Sequence, residues 1–183
     1  MQKNIINDVE KVLYSEEVLI KRIKELAQEI SNDYSNKDLL IVGVLKGSVV
    51  FTSDLIKYIT IPCAIDFMAV SSYGNSTETS GVVRILKDLD NDIEGKDVLI
   101  VEDIVDTGVT LSYLLEYLKA RKANSIEIVA LLNKEARRKS DIKVKYIGFE
   151  VPDEFIVGYG IDYAENYRNL PFIGSLKREI YEK

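Results

Sequence analysis

The stretch VLIVEDIVDTGVTL, residues 98–111, gathers the side chains of this chain best suited to chemistry. Four apolar residues, Val98 to Val101, run into Glu102 and Asp103, and Asp106-Thr107-Gly108-Val109-Thr110 then opens an apolar-periodic segment. In open α/β sheets ligands bind beyond the carboxyl ends of the strands, and this is such an end. Loop amides, the hydroxyls of Thr107 and Thr110 and a helix N-terminus would together favour a phosphate. Gly108 allows close backbone approach. Adjacent acids on a strand point to opposite faces, so Glu102 and Asp103 are not expected to share one role. A plainer reading stays open for this motif alone: Asp106 caps the helix and the acid pair ends a strand in solvent.

The rest of the composition narrows the chemistry by subtraction. The chain has no histidine and one cysteine, Cys63. Ser/His/Asp and Cys/His triads, His-ligated zinc and an internal disulfide are therefore excluded. Carboxylates, lysines, arginines, hydroxyls, backbone and a hard metal ion remain. Lys+Arg number 24 against 30 Asp+Glu, and the resulting −6 argues against a nucleic-acid partner. No run reaches the ~18 apolar residues of a membrane span. The N-terminal MQKNIINDVEKVLY lacks the apolar core of a secretory signal, and with so little cysteine the expected compartment is the cytoplasm.

Positioning these groups requires a framework, and 183 residues are enough for one domain with a sizeable core. Ser15-Glu16-Glu17 reads as a helix start, followed by Leu19, Ile23, Leu26 and Ile30 at helical spacing. Leu39 to Leu45 is a continuous apolar run that suits a strand covered on both faces. A helix is expected from Val49 to about Ile59, and a strand over IPCAIDFMAV. Residues 71–81, SSYGNSTETSG, are small and polar, and read equally as a hairpin connection or an active-site lid. Val82 to Leu86 returns as a strand. After the Val98–Val101 strand comes a helix from about Thr110 to Lys122, then strands at Ile126–Leu132, Tyr146–Val151 and around Phe155–Tyr159. This alternation predicts an α/β fold with a mainly parallel twisted sheet flanked by helices.

The string of four apolar residues, two acids, two apolar residues and Asp-Thr-Gly-x-Thr resembles the phosphoribosyl-pyrophosphate motif of type I phosphoribosyltransferases. LLIVGVLKGS (39–48), the Ser72-Tyr73 loop, ALLNKEAR (130–137) and VPDEFIVGYGIDYAENYRNL (151–170) follow in that family's order, and together are similar to its hypoxanthine(-guanine) branch. Two departures stand out. Val109 occupies a position where some members carry lysine, and Ser48 one where others carry glycine, which matters only if that backbone needs positive φ. The resemblance implies the type I phosphoribosyltransferase fold over residues 1–183. Its core would span about 36–150, and a small hood would come from the N-terminal segment and about 151–183.

The implied reaction transfers ribose 5-phosphate from phosphoribosyl pyrophosphate to N9 of a 6-oxopurine, hypoxanthine and also guanine, with Mg²⁺ as cofactor. By resemblance, Glu102, Asp103, Asp106, Thr107, Gly108, Val109 and Thr110 hold the phosphoribosyl group, and Asp106 is the general base. Lys46, Gly47 and Arg168 would meet pyrophosphate, and in relatives the Leu45–Lys46 peptide can be cis. Lys134, Phe155, Ile156 and Asp162 would bind the purine, Ser72 and Tyr73 would close as a lid, and Glu102, Asp103 and Asp162 would serve the metal. Without the resemblance, Lys134 reads as a solvated lysine, Arg168 as a surface residue, and Phe155 and Ile156 as core. The resemblance also implies a homodimer or homotetramer. Other readings are a xanthine- or guanine-preferring enzyme, or an RNA-binding regulator of the same fold. A phospho-receiver domain is disfavoured, because its acid pair would follow the first strand.

Overall fold

The computed structural model describes residues 4–72 and 83–182. Its central sheet has six strands: β2 (Leu39–Leu45), β3 (Cys63–Ser72), β4 (Val83–Lys87), β5 (Asp97–Val105), β6 (Ser125–Asn133) and β7 (Tyr146–Glu150). They run in the order β4-β3-β2-β5-β6-β7, with only the β3–β4 pair antiparallel. β2 and β5 sit mid-sheet and are covered on both faces, which is why they read as unbroken apolar runs.

Strand periodicity sorts these runs onto two cores. Leu39, Ile41, Leu99, Val101, Val129 and Leu131 face one cluster, and Leu40, Val42, Val98, Ile100, Ile128 and Ala130 the other. The first face is covered by α1 (Glu16–Asp33) and α2 (Val49–Ile56). The stripe Leu19, Ile23, Leu26, Ala27 and Ile30 of α1 is wholly buried, at roughly 1.5–3 kcal/mol for each large side chain. Arg22 fixes that helix to β7 by donating to the Ile147 and Gly148 carbonyls at 2.9 and 3.2 Å. The second face is covered by α3 (Val109–Lys119) through Leu111, Leu114 and Leu118.

Beside this sheet lies a smaller one of three strands, β1 (Val9–Tyr14), β9 (Ile173–Leu176) and β8 (Ile156–Val157), all antiparallel. A short helix, α4 (Arg178–Tyr181), follows it. The two sheets share one hydrophobic cluster, since Ile156, Tyr159, Ile161 and Ile173 pack with Leu99, Val101 and the α1 stripe. Tyr14 ties them again by stacking on Phe149 of β7 at 4.1 Å and donating to the Glu150 carbonyl.

Several elements differ from the sequence-based expectation. β5 does not stop at Val101 but carries Glu102 and Asp103 within it, because β6 keeps pairing as far as Val105↔Asn133. α3 ends at Lys119 rather than Lys122, where a turn with Lys122 at φ 58° sends the chain toward β6. α2 ends at Ile56, and the Phe155–Tyr159 strand shrinks to two residues. Ser15 stands at the N-cap of α1 without a capping side-chain bond. β1 and β9 were not foreseen. Ser72 closes β3, while Tyr73 and most of the 71–81 loop lie outside the described residues.

Because one cluster spans both sheets, thermal unfolding should be a single transition by far-ultraviolet and tyrosine signals alike. Leu99→Ala, in that cluster, should lower stability by about 3 kcal/mol, read from the urea midpoint. Two separated transitions, with only one of them moved by Leu99→Ala, would contradict this.

Candidate active site

The carboxyl end of β5 delivers its two acids to opposite sides, as strand geometry requires. Asp103 continues the Leu99, Val101 side and turns toward the loop after β2. There Gly47 comes so close that a Cβ built on it would lie 1.6 Å from Asp103 Oδ2. The Leu45–Lys46 peptide just before is cis. Ser48 has φ −76°, so glycine is not required at that position. On its other side Gly47 meets Gly160, where a Cβ would lie 2.0 Å from the Gly47 carbonyl oxygen, and Gly160 has φ 103°. Gly160 in turn accepts from Arg168 Nη1 at 2.9 Å.

Glu102 follows the Val98, Ile100 side and lines a cavity of about 140 Å³ with Asp106, Thr107, Gly108, Thr110 and Leu111. Gly108 has φ 76° and serves as the N-cap of α3. A Cβ there would lie 2.3 Å from Ser140 Oγ, so the position demands glycine on both conformational and steric grounds. The loop is held from behind: the Lys139 N–H and Ser140 hydroxyl both donate to the Thr107 carbonyl, at 2.9 and 3.2 Å. Val109 begins the helix, and its N–H points back to Thr107 Oγ1 at 3.5 Å.

A second cavity of about 350 Å³ lies next to it, with Ile104, Asp106, Lys134, Phe155, Ile156 and Asp162 in its walls. Ile104 and Asp106 line both cavities. Lys134 is 5% exposed, so the solvated reading does not hold. Its ammonium donates to the Glu154 carbonyl at 2.9 Å and stands 3.6 Å from the Asp153 carboxylate. Phe155, by contrast, is 36% exposed rather than core. Ile156 is buried in β8, the edge strand of its sheet, which leaves one row of its backbone groups without a neighbouring strand.

A model of the phosphoribosyl transferase domain matches residues 11–164. The chain belongs to the phosphoribosyltransferase family. It is 58% identical, over 96% of its length and 98% of the relative's, to the hypoxanthine-guanine phosphoribosyltransferase of Bacillus subtilis. It superposes on a crystal structure of a hypoxanthine phosphoribosyltransferase from Staphylococcus aureus with a TM-score of 0.96, at 54% identity and full coverage of both chains. A hypoxanthine-guanine phosphoribosyltransferase from Bacillus anthracis gives 0.89 at 50% identity, covering 92% of this chain and 99% of that one.

The acids of this phosphoribosyltransferase have unequal surroundings. Burial, reinforced by the Asp103 charge, raises the Glu102 pKa well above the usual carboxylate range. Burial also pushes Asp103 up to about 6, against hydrogen bonds from the Ile104 and Asp103 amides and the charge of Arg168. Asp106 keeps one oxygen, Oδ1, buried without a hydrogen-bond partner, while Oδ2 lies 3.3 Å from Arg137. Arg168 pairs with Asp162 at 2.8 Å and has its own buried orphan, Nε. Lys46 is an exposed lysine paired with Glu165 at 3.0 Å.

Glu102 and Asp103 diverge across the sheet and Asp162 is taken by Arg168, and among the described residues no three acids form a cluster able to hold a metal alone. Two arginines were missed within the basic stretch 134–139. Arg138 donates to the Asp106 carbonyl and to Asn133 Oδ1, pinning the loop, and Arg137 reaches the Asp106 carboxylate. Only the tertiary fold distinguishes them from solvated charge.

Asp103 yields a stability test whose sign follows from its pKa. A raised pKa means that ionising the group opposes folding. The cost is absent at about pH 4, grows toward pH 6 and is complete above it. Asp103→Asn should therefore stabilise the protein by about 1–3 kcal/mol at pH 7.5 and by little at pH 4, in thermal melts at both. Equal shifts at the two pH values would place the effect in packing instead.

Proposed function

We propose that this protein transfers the 5-phosphoribosyl group from phosphoribosyl pyrophosphate to N9 of hypoxanthine or guanine, in purine salvage. The observation that carries the mechanism is the placement of Asp106 in the walls of two adjoining cavities. The smaller cavity suits the 5′-phosphate: loop amides of Asp106 to Thr110, the Thr107 and Thr110 hydroxyls and the N-terminus of α3 all favour an anion. The larger suits the base. In the reaction the bond from ribose C1 to pyrophosphate breaks, the bond from C1 to purine N9 forms, and a proton leaves the base. With no histidine in the chain, Asp106 takes the purine N7 proton on its carboxylate.

Lys134 selects the base. One ammonium proton is committed to the Glu154 carbonyl, leaving others for the O6 of an oxopurine. The 6-amino group of adenine would bring a donor against a donor. Phe155 supplies the stacking face and Ile156 the backbone groups at the base edge. Lys46, Gly47 and Arg168 face the pyrophosphate, and its arrival would replace Glu165 as partner of the two cations. Ser72 and Tyr73 belong to the segment that would exclude water.

Mg²⁺ fits this donor set as a substrate-bridging ion, since such ions take one or two carboxylates and complete their shell with phosphate oxygens and water. Glu102 and Asp103, half-buried acids whose pKa values are raised and which point to opposite sides of the strand, would each serve the cation or a ribose hydroxyl on its own side. It would supply neutralising charge to the departing pyrophosphate. The cytoplasm is the compartment proposed. No helix among the described residues is long and apolar enough to cross a membrane.

The test is pyrophosphate release from phosphoribosyl pyrophosphate and Mg²⁺ with hypoxanthine, guanine, xanthine or adenine supplied singly. Turnover with the first two and none with adenine is expected; silence with all four would overturn the reading. Asp106→Asn should lower kcat by about 10²-fold or more while phosphoribosyl pyrophosphate affinity stays within about threefold. Lys134→Ala should lower kcat/KM for hypoxanthine roughly 10–100-fold and erode the preference over adenine. Unchanged base discrimination would remove Lys134 from the base site.

A further inference from the structure

Phe155 lines two neighbouring spaces. One is the base cavity, and the other is a groove of about 890 Å³, lined among others by Glu10, Lys11, Lys177 and Arg178. Phe155 and Tyr181 line both spaces, and Phe155 is 36% exposed, so the phenyl ring is not enclosed in packed core. β8 begins only at Ile156, and the Phe155 backbone is tied at its carbonyl, which accepts from the Leu176 N–H at 2.9 Å. The ring itself is held by two other aromatic side chains. Tyr181 stacks on it at 4.7 Å and 25°, and Tyr163 meets it in a T-shaped contact at 5.1 Å and 83°.

We infer that Tyr181 is a positioning residue of the base site: it lies along one face of Phe155 and holds the ring in the plane on which the purine stacks. The inference rests on the purine reading given above. A half-exposed phenyl ring bordering two cavities would otherwise have to be immobilised when the base binds, and that ordering would be subtracted from affinity. Stacking on Tyr181 fixes the ring beforehand, and aromatic pairs gain most in this offset-parallel or edge-to-face geometry. Tyr181 is itself anchored. It ends α4 and packs with Ile180 on the cluster of Val157, Tyr167, Leu170 and Leu176. The helix start is tied to the N-terminal segment, where the Lys177 N–H donates to the Asp8 carbonyl at 3.0 Å. The C-terminal turn is thereby a supporting part of the base site, although it contributes none of the charged groups.

The experiment measures KM for hypoxanthine and for phosphoribosyl pyrophosphate, kcat and the thermal midpoint in wild type, Tyr181→Ala, Tyr181→Phe, Phe155→Ala and the double alanine variant. Tyr181→Ala should raise the hypoxanthine KM about three- to tenfold, leaving the phosphoribosyl pyrophosphate KM in place and lowering the midpoint by no more than about 4 °C. Tyr181→Phe, which keeps the ring, should restore the wild-type value. In the Phe155→Ala background the loss of Tyr181 should add little, since the ring it positions is gone. An unchanged hypoxanthine KM overturns the inference. So does a lowered one, which would mean that Tyr181 occupies the base's own place, and so does a failure of Tyr181→Phe to restore. A rise in both KM values with a larger fall in the midpoint overturns it in favour of a purely structural role. Absence of turnover in the wild type would sink the purine reading and this inference together. Normal wild-type turnover with unaltered Tyr181→Ala kinetics would sink the inference alone.

Discussion

Everything at the site hangs on a contact that leaves no room for a side chain. The Asp103 carboxylate presses on Gly47, whose carbonyl presses on Gly160, so a strand end, the loop after β2 and the C-terminal segment meet through backbone. A methyl group at either glycine would have to displace a carboxylate or a peptide carbonyl, neither of which is the free end of a flexible chain. This contact sets the distance between the larger sheet and the smaller one. Lys46 and Arg168, which reach the same region from opposite sides and share Glu165, are placed by it as well. Glycine here is a spacing element, and its conformational freedom matters at Gly160 and Gly108 alone of the site glycines.

The second constraint is electrostatic. Two carboxylates in one strand, both raised by burial, oppose folding when ionised. The strand tolerates them because its apolar run, Val98 to Val101, is wholly buried and supplies a surplus of burial energy. In the proposed reaction, binding would recover what folding forgoes, since a ribose hydroxyl or a cation would give each carboxylate a further partner. The orphaned atoms Asp106 Oδ1 and Arg168 Nε are the same device on a smaller scale.

Much of this was legible in the sequence, for identifiable reasons. β2, β5 and β6 lie in the sheet interior and are buried on both faces, so local apolarity alone marks them. The opposite faces of Glu102 and Asp103 follow from a two-residue period, and the close approach at Gly108 from its place before the helix. β1 and β9 escaped because they are short antiparallel strands at opposite chain ends, whose pairing at Val9↔Leu176 is set by tertiary contact. Phe155 looked like core because FIVGY is apolar. What exposes it is the brevity of β8 and the two spaces it lines. Lys134 looked solvated for the converse reason: a basic run carries no local sign of which members will meet carbonyl oxygens.

In a chain without histidine, carboxyl groups are among the side chains left for proton chemistry, and their ordinary pKa lies well below neutrality. Diversity of surroundings then does what diversity of residue type does elsewhere. Within five positions, 102 to 106, three acids occupy three settings. All three are half-buried, but Glu102 sits beside another negative charge, Asp103 is hydrogen-bonded and near an arginine, and Asp106 has one oxygen on Arg137 and one without a partner. The first two differ because a strand alternates. The third differs because pairing with β6 ends at Val105, releasing the backbone into the loop that Arg138 and Lys139 hold. Moving the end of that pairing by one residue would move the point at which the backbone leaves the sheet, and with it the setting of Asp106. The length of β5 is thus as much a part of the chemistry as the acids it carries.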